Sequence, residues 1–471
     1  MIEALPKSHK YLALSALLTG AFLPPVDFYA VNLALPSIEH HLQAKPSEIQ
    51  LIISLYASAY AVFLITGGRL GDLIGRKKMF MLGLAGFIAS SSLCGFATDS
   101  GILILGRMLQ GISGAILAPQ VISIIRVLFS EKEQPFAMGL YSFTFGLAAV
   151  AGQLLGAALI RLNLMGLGWQ SIFLINIPVG IFALLGSAKY LPEQRAAEKT
   201  TIDYLGVLLL SITLGLLVYP LTRGQESGWP LWTFISALLS IPCGGLFIAY
   251  ENHLNKKGKI PLVDFRLFKN HHFNLGLIIC LLFYSSSIFY LAFALLLQDG
   301  MGWDAWKAGL AILPFGIGFI SSSLYAAPLS RYTGDQILNI GLLCYVFGFA
   351  VLALLLYKNQ IISPAFYAGL MACGTGMGLI ISSLVRIILK RVEIKLIGLA
   401  SGLISSTLQI GAAIGVAAIG SIFFKVLGQD HSLKSYSLSF QYVLWVLVVL
   451  QLFAFTTGLV LIKRTKQKTH L

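Results

Sequence analysis

Apolar runs, each about as long as a bilayer is thick, recur from one end of the chain to the other with short polar stretches between them. A window of about 19 residues predicts helices near residues 11–35, 49–70, 79–98, 101–125, 137–161, 169–190, 203–222, 231–250, 273–297, 307–329, 337–356, 364–389, 398–424 and 440–462. The runs are continuous rather than alternating, which favours helices over barrel strands, and a helix satisfies its own backbone hydrogen bonds in lipid. The predicted fold is therefore an all-α integral membrane protein with 14 transmembrane helices.

Composition agrees with the pattern. Of 471 residues, 57% are hydrophobic and 11% are charged, with a mean hydropathy of +0.83, whereas soluble domains carry roughly 25% charged residues. A soluble enzyme is excluded, because a globule of this size has too little interior for that much apolar surface. The net charge of +14 does not signal nucleic acid: the Lys and Arg residues sit in short clusters between apolar runs, where membrane topology explains them. With both termini on the cytoplasmic side, 25 of the 33 basic residues fall in inside segments, 7 fall outside and Arg107 lies within a span. That asymmetry is the positive-inside bias. The stretch after Lys7 and Lys10 lacks a small-residue cleavage site before Asp27 and reads as a retained first span. Cys94, Cys243, Cys280, Cys344 and Cys373 each lie in a different apolar run without metal-ligand spacing, and read as small apolar fillers.

The most polar connections, Tyr190 to Thr201 and Glu251 to His272, bracket the seventh and eighth spans. This punctuation predicts a six-helix bundle over 1–190, an inserted two-helix segment with its linkers over 191–260, and a second six-helix bundle over 261–471. Gly146, Gly152 and Gly156 in the fifth span are echoed by Gly402, Gly411, Gly415 and Gly420 in the fifth span of the second half. Glycine-interrupted helices at matching places mark a transporter's moving interface; small residues that merely let helices pack closely give the same pattern.

Among 19 acidic residues, Asp27 alone falls well inside an apolar span, and Arg107 is the basic residue similarly placed. A charge at midspan costs about 2.5–3.5 kcal/mol on insertion scales, so each is a functional candidate. Helical rise puts Asp27 roughly 24 Å along its span from the inside and Arg107 roughly 9 Å along its span from the outside. The expectation is a proton-binding Asp27 tuned by Arg107 across a wet cavity; a permanent ion pair locking the two spans is the alternative. Asn32, Tyr56, Tyr60, Gln110, Gln120, Gln153, Asn176 and Gln409 add polar groups within spans. Gln110 lies one turn after Arg107 and can share its face. Asn32, Tyr56, Tyr60, Gln110 and Phe143 are the candidate substrate-cavity residues, with Phe145 a further aromatic group; interhelical hydrogen bonding or core packing is the plainer use of each.

The segment from Gly68 to Lys78 carries Gly68, Asp72, Gly75 and Arg76 in order: glycines that permit a tight turn, an acid suited to a helix N-terminus and a basic anchor. It is a candidate conformational gate. The segment resembles the signature loop of the major facilitator superfamily, with Leu73 where Arg is usual. Val26-Asp27 through Asn32 to Pro36 resembles the first-span motif of the fourteen-span drug:proton antiporters (EmrB/QacA-like). Arg107, Gln110, Gly111, Gly114 and Pro119 match the fourth-span motif. Trp169 through Asn176, Pro178 and Gly180 resemble the sixth-span signature, with Gln170 where Arg is common.

The resemblance implies two six-helix bundles plus two inserted helices in a bacterial cytoplasmic membrane, and proton-coupled expulsion of lipophilic compounds by alternating access. It assigns proton coupling to Asp27 and Arg107 and a gating role to Asp72. Gly152 and Gly156 match the fifth-span antiporter motif and join the gate, although Gln153 stands where Pro is usual and Ala157 where a second Gly is common. A proton-coupled importer of a small metabolite is the competing transporter reading, and a receptor without flux is a third. No catalytic triad, metal-ligand set or phosphate loop is present in the sequence, so neither an enzyme nor a cofactor or metal is expected. Expected partners are a lipophilic small molecule, protons and the bilayer, joined in a two-membrane host by a periplasmic adaptor and an outer-membrane channel.

Overall fold

The computed structural model describes residues 7–163, 166–192, 203–224, 228–257, 261–303, 305–358, 361, 363–430 and 432–467. The first helices are α1 (Lys7–Leu42), α2 (Pro46–Ile74), α3 (Arg76–Gly95), α4 (Ser100–Leu128), α5 (Gln134–Leu162), α6 (Gln170–Leu174), α7 (Asn176–Tyr190), α8 (Tyr204–Arg223) and α9 (Leu231–Lys256). They are followed by α10 (His271–Tyr284), α11 (Ile288–Leu295), α12 (Ala305–Ala311), α13 (Leu313–Thr333), α14 (Ile337–Tyr357), α15 (Pro364–Leu389), α16 (Ile397–Ile414), α17 (Gly420–Leu427) and α18 (Leu433–Gln467). No strand occurs among the described residues.

Local chemistry sets many of these boundaries. Glu48 reaches back to accept from the Lys45 N–H at 2.9 Å, fixing the start of α2. Asp99 caps α4 through the Ile102 N–H at 2.9 Å, and Asn270 caps α10 through the His272 N–H at 3.0 Å. Each supplies an acceptor that the first turn of a helix lacks. Between α2 and α3, Gly75 has φ +115°, a conformation that L side chains rarely adopt and that lets one helix follow another with no loop.

Twelve stretches among the described residues are long and apolar enough to cross a membrane, where the sequence predicts fourteen. One of the twelve, Leu313–Tyr357, runs 45 residues and contains both α13 and α14, joined by a single 3-10 turn at Gly334–Gln336. The turn carries Asp335 and Gln336, but helix runs through it without a break, so the two helices count as one stretch. Helix α5 is not among the twelve; it spans 29 residues.

Packing divides the chain into two compact units. The first comprises Met1–Ala137, Leu147–Phe265 and Val392–Ser406; the second comprises Met138–Gly146, Arg266–Arg391 and Thr407–Leu471. In the first unit α2 packs on α4, α3 on α4 and α1 on α7, and the α8–α9 hairpin attaches through α8 to α2. The hairpin is peripheral: the most apolar window of α9 is 17% buried, against 67% for that of α4. In the second unit α15 packs on both α13 and α14, and α18 on α10 and α14. Its interior is aromatic, with Phe289 stacked on Phe293 at 5.7 Å and Tyr345 against Phe349 at 4.4 Å between ring centroids. Two of its helical runs are interrupted, by a 3-10 turn at Ser285–Ser287 and by a π segment at Gly415–Ile419. They meet where a Cβ on Gly415 would lie 2.1 Å from the Ser285 carbonyl oxygen.

Candidate functional site

Asp27 on α1 and Arg107 on α4 are each 1% exposed and lie inside the first unit. Arg107 Nη1 donates directly to Asp27 Oδ2. The other carboxylate oxygen, Oδ1, accepts from Gln110 Nε2 at 3.0 Å and from Asn176 Nδ2 at 2.9 Å. Gln110 also accepts from Arg107 Nη1 at 2.7 Å and donates to the Ser91 hydroxyl at 2.8 Å. Arg107 Nε reaches the Ile52 carbonyl at 3.3 Å, and its guanidinium lies 4.1 Å from the Tyr56 ring centroid. The acid therefore has donors from α4 and α7, and the base has acceptors from α1, α2 and α4 together with an aromatic face.

This differs from the expected pair facing each other across a wet cavity. The contact is direct and the groups are enclosed. In a medium that does not solvate charge, a guanidinium and a carboxylate within reach approach until they touch, and their remaining valences are met by neutral amides and a hydroxyl. The enclosing wall is tight. A Cβ on Gly111 would lie 2.5 Å from the Tyr56 carbonyl oxygen, and one on Gly152 would lie 2.7 Å from the Val26 carbonyl oxygen. Glycine at these positions brings α4 against α2, and α5 against α1, next to the residue that carries the acid.

The remaining cavity candidates divide. Tyr56 is 5% exposed, donates to the Pro24 carbonyl at 3.4 Å and stacks on half-buried Tyr60 at 6.1 Å. Tyr56 adjoins the ion pair, and Tyr60 adjoins Tyr56. Phe143 is half-buried but belongs to the part of α5, Met138–Gly146, that packs within the second unit. The side chains of Asn32 and Gln153 lie outside the described residues. Ser91 and Cys94 complete the polar cluster, Cys94 donating to Gln110 Oε1 at 3.7 Å. Sequence reasoning passed over Ser91, read Cys94 as an apolar filler and set Asn176 among the general polar groups; the run Ser90-Ser91-Ser92 inside an apolar span was the available signal.

Most of the gate candidates form a second constellation at the end of α2. Asp72 accepts from the backbone N–H groups of Gly398 at 3.1 Å and Leu399 at 2.8 Å, at the N-terminus of α16, and from Arg76 at 3.0 Å. Arg76 also donates to the Ile394 carbonyl at 2.7 Å. Gly68 lets the backbones approach: its Cβ would lie 2.2 Å from the Gly398 carbonyl oxygen. The carboxylate thus sits where a helix presents unsatisfied N–H groups and partial positive charge. Gly75 forms the adjoining turn. Gly152 and Gly156 are elsewhere, packed on α1, where a Cβ on Gly156 would lie 3.1 Å from the Ala30 Cα.

Among the described residues, twelve stretches long and apolar enough to cross a membrane, several of them packed around a desolvated ion pair, define a polytopic helical membrane protein. The chain belongs to the Major Facilitator Superfamily, whose model matches residues 17–416. It is 34% identical over 429 residues to a probable actinorhodin transporter of Streptomyces coelicolor, covering 90% of this chain and 74% of that protein. It is 28% identical over 423 residues to the tetracenomycin C resistance and export protein of Streptomyces glaucescens, covering 88% and 76% respectively. In fold it is similar to the human organic anion transporter MFSD10, with a TM-score of 0.70, 15% identity and coverage of 96% of this chain and 100% of that one.

Proposed function

We propose that the protein exports lipophilic compounds in exchange for protons by alternating access, as a member of the fourteen-span EmrB/QacA-like branch of its superfamily. The observation that carries this reading is the Asp27–Arg107 pair with its Gln110, Asn176 and Ser91 partners. A carboxylate buried at midspan is retained at an energetic cost, and a proton is the one ligand that removes the charge without needing a cavity. Protonation of Asp27 cancels the attraction that holds Arg107 and leaves the guanidinium, already on the Tyr56 face, free to shift along the Tyr56–Tyr60 stack. Those aromatic faces suit flat or cationic amphiphiles. Export, rather than uptake, follows the relative that is named for resistance and export.

Proton access requires the enclosing wall to move, and the bare backbone surfaces of Gly152 and Gly156 against α1 are suited to sliding. The Asp72, Arg76 and Gly68 constellation supports a latch that holds one conformation closed. Fourteen spans follow if α13 and α14 cross separately and α5 crosses as well. Bundles over 1–190 and 261–471 then flank the inserted pair, with both termini cytoplasmic in a bacterial inner membrane. In a host with two membranes, a periplasmic adaptor and an outer-membrane channel would carry the substrate onward.

The test is proton flux and drug flux measured together in proteoliposomes screened with lipophilic cations, organic acids and neutral drugs. Opposed fluxes that vanish in Asp27→Asn are expected. Fluxes in the same direction would make the protein an importer, and coupling that survives Asp27→Asn would remove the acid from the mechanism.

A further inference from the structure

A second cluster of carboxyl groups lies where the peripheral hairpin joins the first unit. Asp203 precedes α8 and Glu251 lies near the end of α9, 0% exposed. Asp203 Oδ1 accepts from the Gly206 N–H at 3.0 Å and from the Tyr250 hydroxyl at 2.9 Å. Glu251 Oε2 accepts from the Val263 N–H at 3.2 Å. The other two oxygens, Asp203 Oδ2 and Glu251 Oε1, are buried without a donor. They converge on one spot: a Cβ on Gly206 would lie 2.4 Å from each of them. Glycine at this position leaves the space in which they meet.

We propose that Asp203 and Glu251 form a protonation site separate from Asp27, holding one proton between Glu251 Oε1 and Asp203 Oδ2. Two carboxyl groups sharing an enclosed site hold a proton in common, because two facing charges there are costly. The partners decide where it resides. Asp203 keeps the charge, since it caps the positive end of α8 and is half-buried where Glu251 is wholly enclosed. Glu251 Oε1 carries the hydrogen and donates it to Asp203 Oδ2. Among the described residues, Tyr250 donates to Asp203 from α9, Arg69 faces Glu251 from α2, and Asp264 lies in the segment after α9. Arg69 is the cation among these groups; it donates to the Pro261 carbonyl at 2.9 Å and shares its field with Asp72, Asp264 and Glu251. One guanidinium facing this many carboxyl groups cannot neutralise an additional charge on the pair.

The site is a device for docking. The proton ties the first turn of α8 to the last turns of α9, while Glu251 Oε2 holds the Val263 backbone and Arg69 holds that of Pro261. Loss of the proton to water leaves two opposed carboxylates and drives the first turn of α8 from the last turns of α9 and the Val263 backbone that Glu251 holds. The closure of the hairpin thus depends on pH, whatever compound is transported and in whichever direction.

Infrared difference spectroscopy and amide hydrogen exchange on the full-length protein, between about pH 6 and about pH 9, test this without a transport readout. A protonated-carboxyl C=O band is expected to disappear as pH rises, to be missing in both Glu251→Gln and Asp203→Asn, and to survive in Asp27→Asn. The Glu251→Gln carboxamide supplies a permanent donor to Asp203 Oδ2. At the alkaline limit, wild-type Val263 should therefore exchange at least about tenfold faster than in Glu251→Gln at the same pH, and equally fast at the acid limit, tenfold being one pH unit of coupling. A band unchanged by both substitutions, or equal Val263 exchange in wild type and variant across the range, overturns the proposal and leaves the Asp27 reading untouched.

Discussion

Replacing Asp27 tests whether the central ion pair behaves as one desolvated unit. Asp27→Ala removes the acceptor of three hydrogen bonds, from Arg107, Gln110 and Asn176, and leaves a guanidinium that is 1% exposed with no counter-charge. Breaking a buried pair from one side costs about 3–5 kcal/mol. Arg107→Met should cost a similar amount, because it strands the carboxylate among the two amides. The double variant removes both charges and restores an apolar contact, so it should fall short of the sum of the single losses by about 1.5–3 kcal/mol. The assay is reversible unfolding in mixed micelles for all four members of the cycle. Strictly additive losses, or single losses below about 1 kcal/mol, would mean that the two groups are solvated and uncoupled, and the argument for a buried proton site would fail with them.

Three further outcomes follow from the same structure. Asp72→Ala removes the acceptor for the Gly398 and Leu399 N–H groups; a loss of about 0.5–2 kcal/mol, typical of a missing helix cap, should appear as faster amide exchange confined to the start of α16. Gly152→Ala places a Cβ 2.7 Å from the Val26 carbonyl oxygen, an overpacking that should lower stability by about 1–3 kcal/mol, read as a reduced melting temperature in detergent. The carboxylate of Glu133 is held below its usual range by the backbone N–H and hydroxyl of Ser130 and by Lys10 at 3.5 Å. A depressed carboxylate contributes above its unfolded value and loses its contribution as pH falls through the folded one. Acidification below about pH 4 should therefore raise amide exchange at the Ser130–Glu133 turn, and the Glu133→Gln variant should lack that step.

Part of this molecule was legible residue by residue. Runs of apolar side chains, the basic asymmetry of the connections and the cost of one acid and one base in hydrocarbon are local properties, so they named the membrane fold and singled out Asp27 and Arg107. The order of Gly68, Asp72, Gly75 and Arg76 was local too. What those groups touch was not: Asp27 meets partners 80, 83 and 149 positions away, and Asp72 meets backbone amides 326 and 327 positions away. Side-chain chemistry predicted that Asp27 needed a partner but could not distinguish an open cavity from direct contact. That choice depends on whether Gly111 and Gly152 let neighbouring backbones close around the pair. Ser91 escaped notice, and Asn176 was noticed without a partner, for the same reason: a small polar residue in a span acquires a role only through what packs against it. Burial of a charge is dictated by the residue and its flanking sequence; the identity of its partners is decided by helix packing, which no single stretch of chain contains.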